Sequence, residues 1–91
     1  MSNYALPLAS INVNGEDAET FLQQFFTQDI QIQAPVYWGY FCNHQGKVMA
    51  MAAVVRRASA FCLITHQSTQ HLLFAHLERY ILTQDIHLSI D

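Results

Sequence analysis

Five stretches of the chain have the hydrophobic pattern of β-strands. Near the start, Ile11 and Val13 alternate with Ser10 and Asn12, which is typical of a strand with one apolar side. Residues 48–55 are apolar at both parities, which predicts a strand that is covered on both faces. The predicted strands span residues 8–13, 37–43, 47–57, 59–66 and 85–90.

Two further stretches have helical spacing. Between positions 18 and 25, apolar residues recur at i, i+3, i+4 and i+7, directly after Glu16 and Asp17, and acidic residues suit a helix N-terminus. A second apolar stripe runs between positions 73 and 81, and Ser68 or Thr69 can cap the helix that carries it. The spacing predicts helices over residues 16–25 and 68–82.

The predicted order of elements is β-α-β-β-β-α-β within one domain, residues 1–91. This order predicts an α+β fold: a ferredoxin-like antiparallel sheet with one extra strand and with both helices on one face. Val48 and Val54 are expected to face the helices together with the apolar side of the first strand. The opposite face, which carries Met49, Met51, Ala53 and Val55, stays apolar and uncovered, and we expect it to be the functional face.

Composition agrees with an uncovered surface. Of the 91 residues, 52% are apolar and 12% are charged, whereas about 25% is the usual charged share. A small monomer cannot easily hide so much apolar material, so we expect a partner surface, further domains or self-association. The net charge of -3 argues against a nucleic-acid binder. We see no signal peptide and no membrane-length apolar run, so we expect a cytoplasmic protein.

Histidine and cysteine residues do not form a recognisable metal or catalytic motif. His71 and His76 are five positions apart, which is not the spacing that points two helical ligands together. We interpret the five histidines as solvated or capping side chains. Cys42 and Cys62 lie in apolar strands and are expected to be small buried side chains. We therefore expect no metal site and no catalytic residue.

A cluster of aromatic residues at positions 37–41 raises the alternative of a base-stacking platform, because an RNA-recognition module has a similar order of elements. The strand reads Y-W-G-Y-F-C-N and lacks the leading basic residue and the valine of that module's signature. Core and interface aromatics are the interpretation we favour. A small RNA-binding module and a purely structural dimerisation module remain as alternatives.

The whole chain resembles the first domain of the YgfZ / glycine-cleavage T-protein superfamily. The resemblance rests on four stretches in the right order. Residues 11–22 contain I-N-V-N-G-E-D-A and then F-L, which is similar to the family pattern v-x-G-x-D-A-x-x-F-L, and residues 26–30 read F-T-Q-D-I, which is similar to L-T-N-D-V. Residues 42–48 read C-N-H-Q-G-K-V, which is similar to the hairpin pattern N-x-x-G-[KR]-V. Residues 77–82 read L-E-R-Y-I-L, which is similar to the pattern L-x-x-Y-v-l of the YgfZ branch.

The resemblance implies a folate site on the open sheet face, within a ring of domains. In T-proteins the hairpin continues G-[GK]-x-x-D-D, and its second Asp is the catalytic acid; here that position is Met51. Methionine cannot relay a proton, so aminomethyl transfer is not expected. YgfZ-type proteins also lack this acid and act as folate-dependent helpers of iron–sulfur proteins, including those that modify tRNA. Their K-G-C-[YF]-x-G-Q motif lies in a later domain and is absent from these residues.

The expected function is therefore a non-catalytic folate-binding domain of the YgfZ type, part of a larger protein that assists iron–sulfur protein maturation and tRNA modification. The expected cofactor is tetrahydrofolate or a derivative, and the expected partners are folate and either missing C-terminal domains or a second copy. A T-protein fragment is the alternative within the superfamily. The folate-facing positions are expected to be Leu8, Asn12, Met51, Ala53 and Val55, of which only Asn12 can orient a pterin by hydrogen bonds.

Overall fold

The structure, a computed structural model, describes residues 7–30, 34–58 and 60–90. Within these ranges the order of elements is the predicted β-α-β-β-β-α-β, although both helices are shorter than predicted. Neither helix has the length and apolar character that crossing a membrane requires. The elements are β1 (Leu8–Asn14), α1 (Ala18–Gln23), β2 (Val36–Cys42), β3 (Val48–Arg56), β4 (Ala60–His66), a 3-10 turn (Gln67–Thr69), α2 (Gln70–Arg79) and β5 (His87–Ser89).

The five strands form one antiparallel sheet in the order β2-β3-β4-β1-β5. This is a ferredoxin-like order to which β2 adds an extra strand at one edge, so the predicted fold class is confirmed. The register aligns the inward-facing side chains, because Leu63 in β4 lies opposite both Ile11 in β1 and Val54 in β3. Each strand therefore presents one parity to the helices and the other to the open face.

Both helices pack against the same face of the sheet, as predicted. Phe21 and Leu22 from α1 and Leu73 and Leu77 from α2 are at most 2% exposed and join one core with the inward side of the sheet. Leu73 and Leu77 are four positions apart, and Phe21 and Leu22 follow the buried Ala18 by three and four positions, so the helical period turns each set toward the sheet. The sheet contributes a row of side chains to this core: Ile11, Val13, Phe41, Ala50, Ala52, Val54, Phe61 and Leu63.

The turn between β1 and α1 is fastened to the start of β5. Gly15 has φ +120°, and a Cβ there would lie 2.0 Å from the carbonyl oxygen of Asp85. The backbone amide of Glu16 donates to Asp85 Oδ2 at 3.1 Å, and the amide of Asp85 donates to Asp17 Oδ2 at 2.8 Å. The amide of Glu16 also lowers the pKa of Asp85, because it favours the charged carboxylate. This reciprocal contact sets β5 beside β1.

The β2–β3 hairpin closes through the predicted turn. The amide of Gly46 donates to the carbonyl of Asn43 at 2.9 Å, and Gly46 has φ +84°. Asn43 Oδ1 also accepts from the amides of Gln45 and Lys47. An irregularity in register between Phe41 and Cys42 pairs Cys42 with Val48. Val48 is 61% exposed as a result, so the prediction that it faces the helices is wrong.

The connection after α1 covers the outer edge of β2. Thr27 and Tyr40 exchange two hydrogen bonds of 3.0 Å, one of them from the Tyr40 amide to Thr27 Oγ1, and the Cys42 amide donates to the Phe25 carbonyl at 2.8 Å. A Cβ on Gly39 would lie 2.7 Å from Thr27 Oγ1, so the connection reaches this close only because residue 39 is glycine. Thr27 therefore holds the connection against β2 through both its backbone and its side chain.

Arg56 secures the far end of the same connection. Its guanidinium lies 2.8 Å from Glu19 Oε1, donates to the carbonyl of Ile30, and stacks 4.9 Å from the Phe61 ring centroid. The Tyr37 hydroxyl and then the Glu19 carboxylate raise the pKa of Arg56. Arg56 therefore acts as a structural clamp between α1, the connection and the sheet.

The edge of β1 that extends beyond the short β5 is also covered. Gln70, a buried residue at the start of α2, donates from its side-chain Nε2 to the backbone carbonyl of Ser10 at 2.8 Å. This bond satisfies a main-chain acceptor that β5 is too short to reach.

Candidate functional site

The face of the sheet away from the helices is apolar and exposed. Strand parity places Leu8, Trp38, Tyr40 and Met51 on it, and these side chains are 51%, 65%, 46% and 59% exposed. Among the described strand residues of this parity there is no Asp, Glu, Lys or Arg. We call this surface the open face. Because these large apolar side chains are exposed side by side, the surface is suited to bind another molecule.

Two hollows lie on the open face. The main hollow has a volume of about 500 Å³, and its lining combines an apolar wall with a polar rim: Leu8, Trp38, Met51, Ala52 and Ile64, then Thr65, His66, Ser68 and Thr69. The side hollow has a volume of about 180 Å³ and is lined by Thr27, Gln28, Trp38, Gly39, Tyr40 and Met51. Trp38 and Met51 line both hollows, so they form a ridge between them. We call it the Trp38–Met51 ridge.

The polar rim of the main hollow is built where β4 leads into the 3-10 turn. Thr65 Oγ1 donates to the carbonyl of Met51 at 2.8 Å and lies 2.8 Å from Thr69 Oγ1. His66 Nδ1 accepts from the backbone amide of Ser68 at 3.0 Å and lies 2.7 Å from the Ser68 hydroxyl. Since Nδ1 accepts, the neutral ring carries its proton on Nε2, and His66 can offer that N–H to a ligand.

The structure brings together two of the five predicted folate-facing residues. Leu8 and Met51 line the main hollow, and Met51 also lines the side hollow. Asn12, Ala53 and Val55 share the parity of the open face but line neither hollow. The site that the geometry supports is therefore displaced toward the end of β1 that contains Leu8.

Ala53 shows why a side chain of the right parity does not always reach a ligand. It lies between Trp38 on β2 and Ile64 on β4, and these larger neighbours leave it 2% exposed. Asn12 lies between Cys62 on β4 and Ser89 on β5 and is half-buried.

Sequence reasoning missed Trp38, Ile64 and His66 as lining residues. The signal that finds them is strand parity in β2 and β4. Trp38 alternates with the buried Tyr37, and Ile64 and His66 alternate with the buried Leu63 and Thr65. The alternation was visible in the sequence, but the pairing that brings these strands beside Met51 was not.

The histidines have more varied roles than predicted. His66 caps the 3-10 turn, and His44 Nδ1 lies 2.9 Å from the Tyr80 hydroxyl. His76 is buried, so the prediction that it is solvated or capping is wrong. Its ring packs 5.4 Å from Phe25 and 5.2 Å from Tyr80, and burial lowers its pKa. In the described ranges, no three His, Cys, Asp or Glu side chains are grouped so that they could hold a metal ion.

The lining residues fit binding better than acid–base chemistry. Among the described residues, no carboxylate lines either hollow, and the titratable side chains that do are His66 and Tyr40. Met51, the residue that the sequence resemblance aligns with the T-protein acid, lines both hollows. The thioether offers apolar contact in its place.

Comparison with known proteins establishes a likeness of fold. No family model matches the sequence, and no curated protein matches it. Among solved structures, the glycine cleavage system aminomethyltransferase T from Bartonella henselae superimposes on 92% of this chain with a TM-score of 0.82 and 20% sequence identity. The two proteins share a fold. This chain spans 24% of the length of that protein, so the likeness concerns one part of a longer molecule.

Proposed function

We propose that this chain is a folate-binding domain of the YgfZ type and that it belongs to a larger protein which assists iron–sulfur protein maturation and tRNA modification. One observation carries the proposal: a fold shared with an aminomethyltransferase presents an uncovered apolar face with a hollow of about 500 Å³. Ligand sites for small molecules have volumes of about 300–1,000 Å³.

The main hollow suits one end of tetrahydrofolate by its chemistry. The reduced pterin is a broad ring with hydrogen-bonding edges, and Trp38, Met51 and Leu8 offer an apolar surface for its face. His66 Nε2–H offers a donor for its edge. The hollow is open on one side, so a ligand keeps much of its contact with water, and we expect weak binding by these residues alone.

A second candidate is a fragment of an aminomethyltransferase, and the name of the structural neighbour favours it. Met51 weighs against this candidate. A transferase of this type needs a proton-relaying group beside the folate. In the part of the chain that the structure describes, neither hollow is lined by a carboxylate that could replace the missing acid.

A nuclear magnetic resonance titration with tetrahydrofolate tests the proposed binding, because it detects even millimolar affinity. The amide and methyl signals of Leu8, Trp38, Met51, Ile64 and His66 should shift together along one saturable curve. Trp38 is the single tryptophan, so its fluorescence gives an independent curve. Met51→Lys should weaken both curves, since it places a charge in the apolar wall, whereas Leu82→Lys, at a residue that is 82% exposed and outside both hollows, should not.

Three results would contradict the proposal: shifts scattered over the surface, a linear response without saturation, or equal weakening by both variants. Tight stoichiometric binding would support a folate site but would overturn the view that further domains are needed to complete it. The helper role is tested in cells. Loss of the gene should lower the activity of iron–sulfur enzymes that modify tRNA, and normal activity in the deletion strain would contradict that role.

A further inference from the structure

We propose that the open face also pairs with the open face of a second copy of this chain in a two-fold symmetric dimer, in which the Trp38–Met51 ridge of each copy enters the main hollow of the other. The proposal goes beyond folate binding and does not depend on it. Of the residues that strand parity places on this face, the contact uses Trp38 and Met51 and leaves out Ala53, which is already covered within one copy.

The first argument is charge. The chain carries a net charge of -3, so two copies repel one another at most of their surfaces. The open face has no Asp, Glu, Lys or Arg at its described strand positions. Because the open face carries no charge, it does not attract a charged partner. When it meets the same face of a second copy, no like charges come into contact.

The second argument is shape. In a two-fold interface the same patch serves both partners, so a protrusion and a hollow must lie side by side on it. The open face has this arrangement, because the exposed side chains of Trp38 and Met51 border the hollow of about 500 Å³. Tryptophan is also among the residue types that contribute most to binding energy at protein interfaces.

The third argument is area. Four strands have seven to nine residues and β5 has three; at a rise of about 3.3 Å per residue and a spacing of about 4.8 Å, the sheet covers a face of roughly 500 Å². Two such faces bury about 1,000 Å² in total, which is below the range of about 1,200–2,000 Å² for stable interfaces and typical of weak, transient ones. The area fits a reversible dimer whose population depends on protein concentration.

Sedimentation equilibrium without ligand, over a hundredfold range of concentration, tests the dimer. The mean mass should rise from 10.4 kDa toward twice that value, and Trp38 emission should shift to shorter wavelength over the same range as its side chain leaves water. Met51→Glu should raise the dissociation constant by about tenfold or more, because each interface would then bury an unpaired carboxylate. Leu82→Glu adds the same charge at an exposed leucine outside the open face and should leave the dissociation constant unchanged.

Circular dichroism first establishes that the Met51→Glu and Leu82→Glu variants fold. Both are expected to fold because the side chains of Met51 and Leu82 are exposed. The dimer is overturned by a mass of 10.4 kDa at every concentration, by a dimer that Met51→Glu leaves intact, or by equal dissociation of both variants. The sedimentation experiment contains no folate, so a monomeric result would not contradict folate binding. In the same way, a failure to bind tetrahydrofolate would not contradict the dimer. If both occur, tetrahydrofolate should shift the equilibrium toward the monomer, since the ligand and the ridge compete for one hollow.

Discussion

Replacing Gly15 by alanine should destabilise the protein far more than replacing Gly46 by alanine, although both glycines have a positive φ. At Gly46 a Cβ meets no atom within 4 Å, so only the backbone conformation is strained. At Gly15 the Cβ would lie 2.0 Å from the carbonyl oxygen of Asp85, and main-chain atoms cannot step aside as a flexible side chain can. The turn must then separate from Asp85.

The expected magnitudes follow from this contact. A left-handed backbone costs an L-residue about 1–2 kcal/mol, which is the whole effect expected for Gly46→Ala. Separating the turn from Asp85 also breaks three hydrogen bonds: Glu16 amide to Asp85 Oδ2, Asp17 amide to the Asp85 carbonyl, and Asp85 amide to Asp17 Oδ2. At about 0.5–1.5 kcal/mol each, they bring the expected cost of Gly15→Ala to about 3–6 kcal/mol.

Urea unfolding followed by circular dichroism measures both variants. A domain of 91 residues has a free energy of unfolding of about 5–14 kcal/mol, so Gly15→Ala should leave little stability, whereas Gly46→Ala should unfold in a complete, slightly earlier transition. Amide exchange adds a local readout, because β5 should lose protection first in the Gly15 variant. If the two variants lost equal stability, the contact with Asp85 would not hold the turn.

Three further outcomes are expected. Lowering the pH should destabilise the fold through His76, because burial lowers the pKa of this residue in the folded state. Its contribution to the free energy of unfolding is complete above the unfolded-state pKa of about 6.5. Below that pH the contribution declines by at most about 1.4 kcal/mol per pH unit. In urea unfolding, His76→Phe should flatten the slope of the free energy of unfolding against pH, whereas His71→Phe, at an exposed histidine, should not. An unchanged slope in His76→Phe would contradict the assignment of the pH dependence to His76. Phe21→Ala or Leu77→Ala should each cost about 2–5 kcal/mol in the same assay, because both side chains are fully buried; a cost below about 1 kcal/mol would mean that the helices are packed differently. Met51→Asp should give no aminomethyl transfer to tetrahydrofolate from an aminomethylated carrier protein, and product above background in that assay would show that the acid alone is sufficient.

The fold could be predicted from the sequence because local and long-range signals agree. The i, i+3, i+4 pattern that ends in Phe21 and Leu22 and the four-residue spacing of Leu73 and Leu77 mark the inner sides of the helices. The alternation around Ile11 marks the inner side of β1. Each of these predictions depends on the period of one element alone. All five residues are buried in the common core.

The site was harder to predict because it depends on which strands become neighbours. Ala53 is covered by Trp38 and Ile64, two residues that lie 15 positions before it and 11 positions after it, and only the register reveals the contact. Val48 does not face the helices as predicted, because the register shifts by one residue where Cys42 pairs with Val48. Such an irregularity changes which side of the sheet the end of the strand faces, and the apolar pattern gives no signal of it. Strand periodicity gives the face of a residue but not its neighbours.

Gln70 has a consequence for how copies of this protein can assemble. By donating to the Ser10 carbonyl, it occupies a main-chain group that could otherwise recruit a strand from another molecule, and the segment around Thr27 does the same along β2. β5 leaves a free edge of three residues, which is too short to template a long pairing. These contacts therefore disfavour edge-to-edge addition of strands from other molecules, which is how fibrils grow.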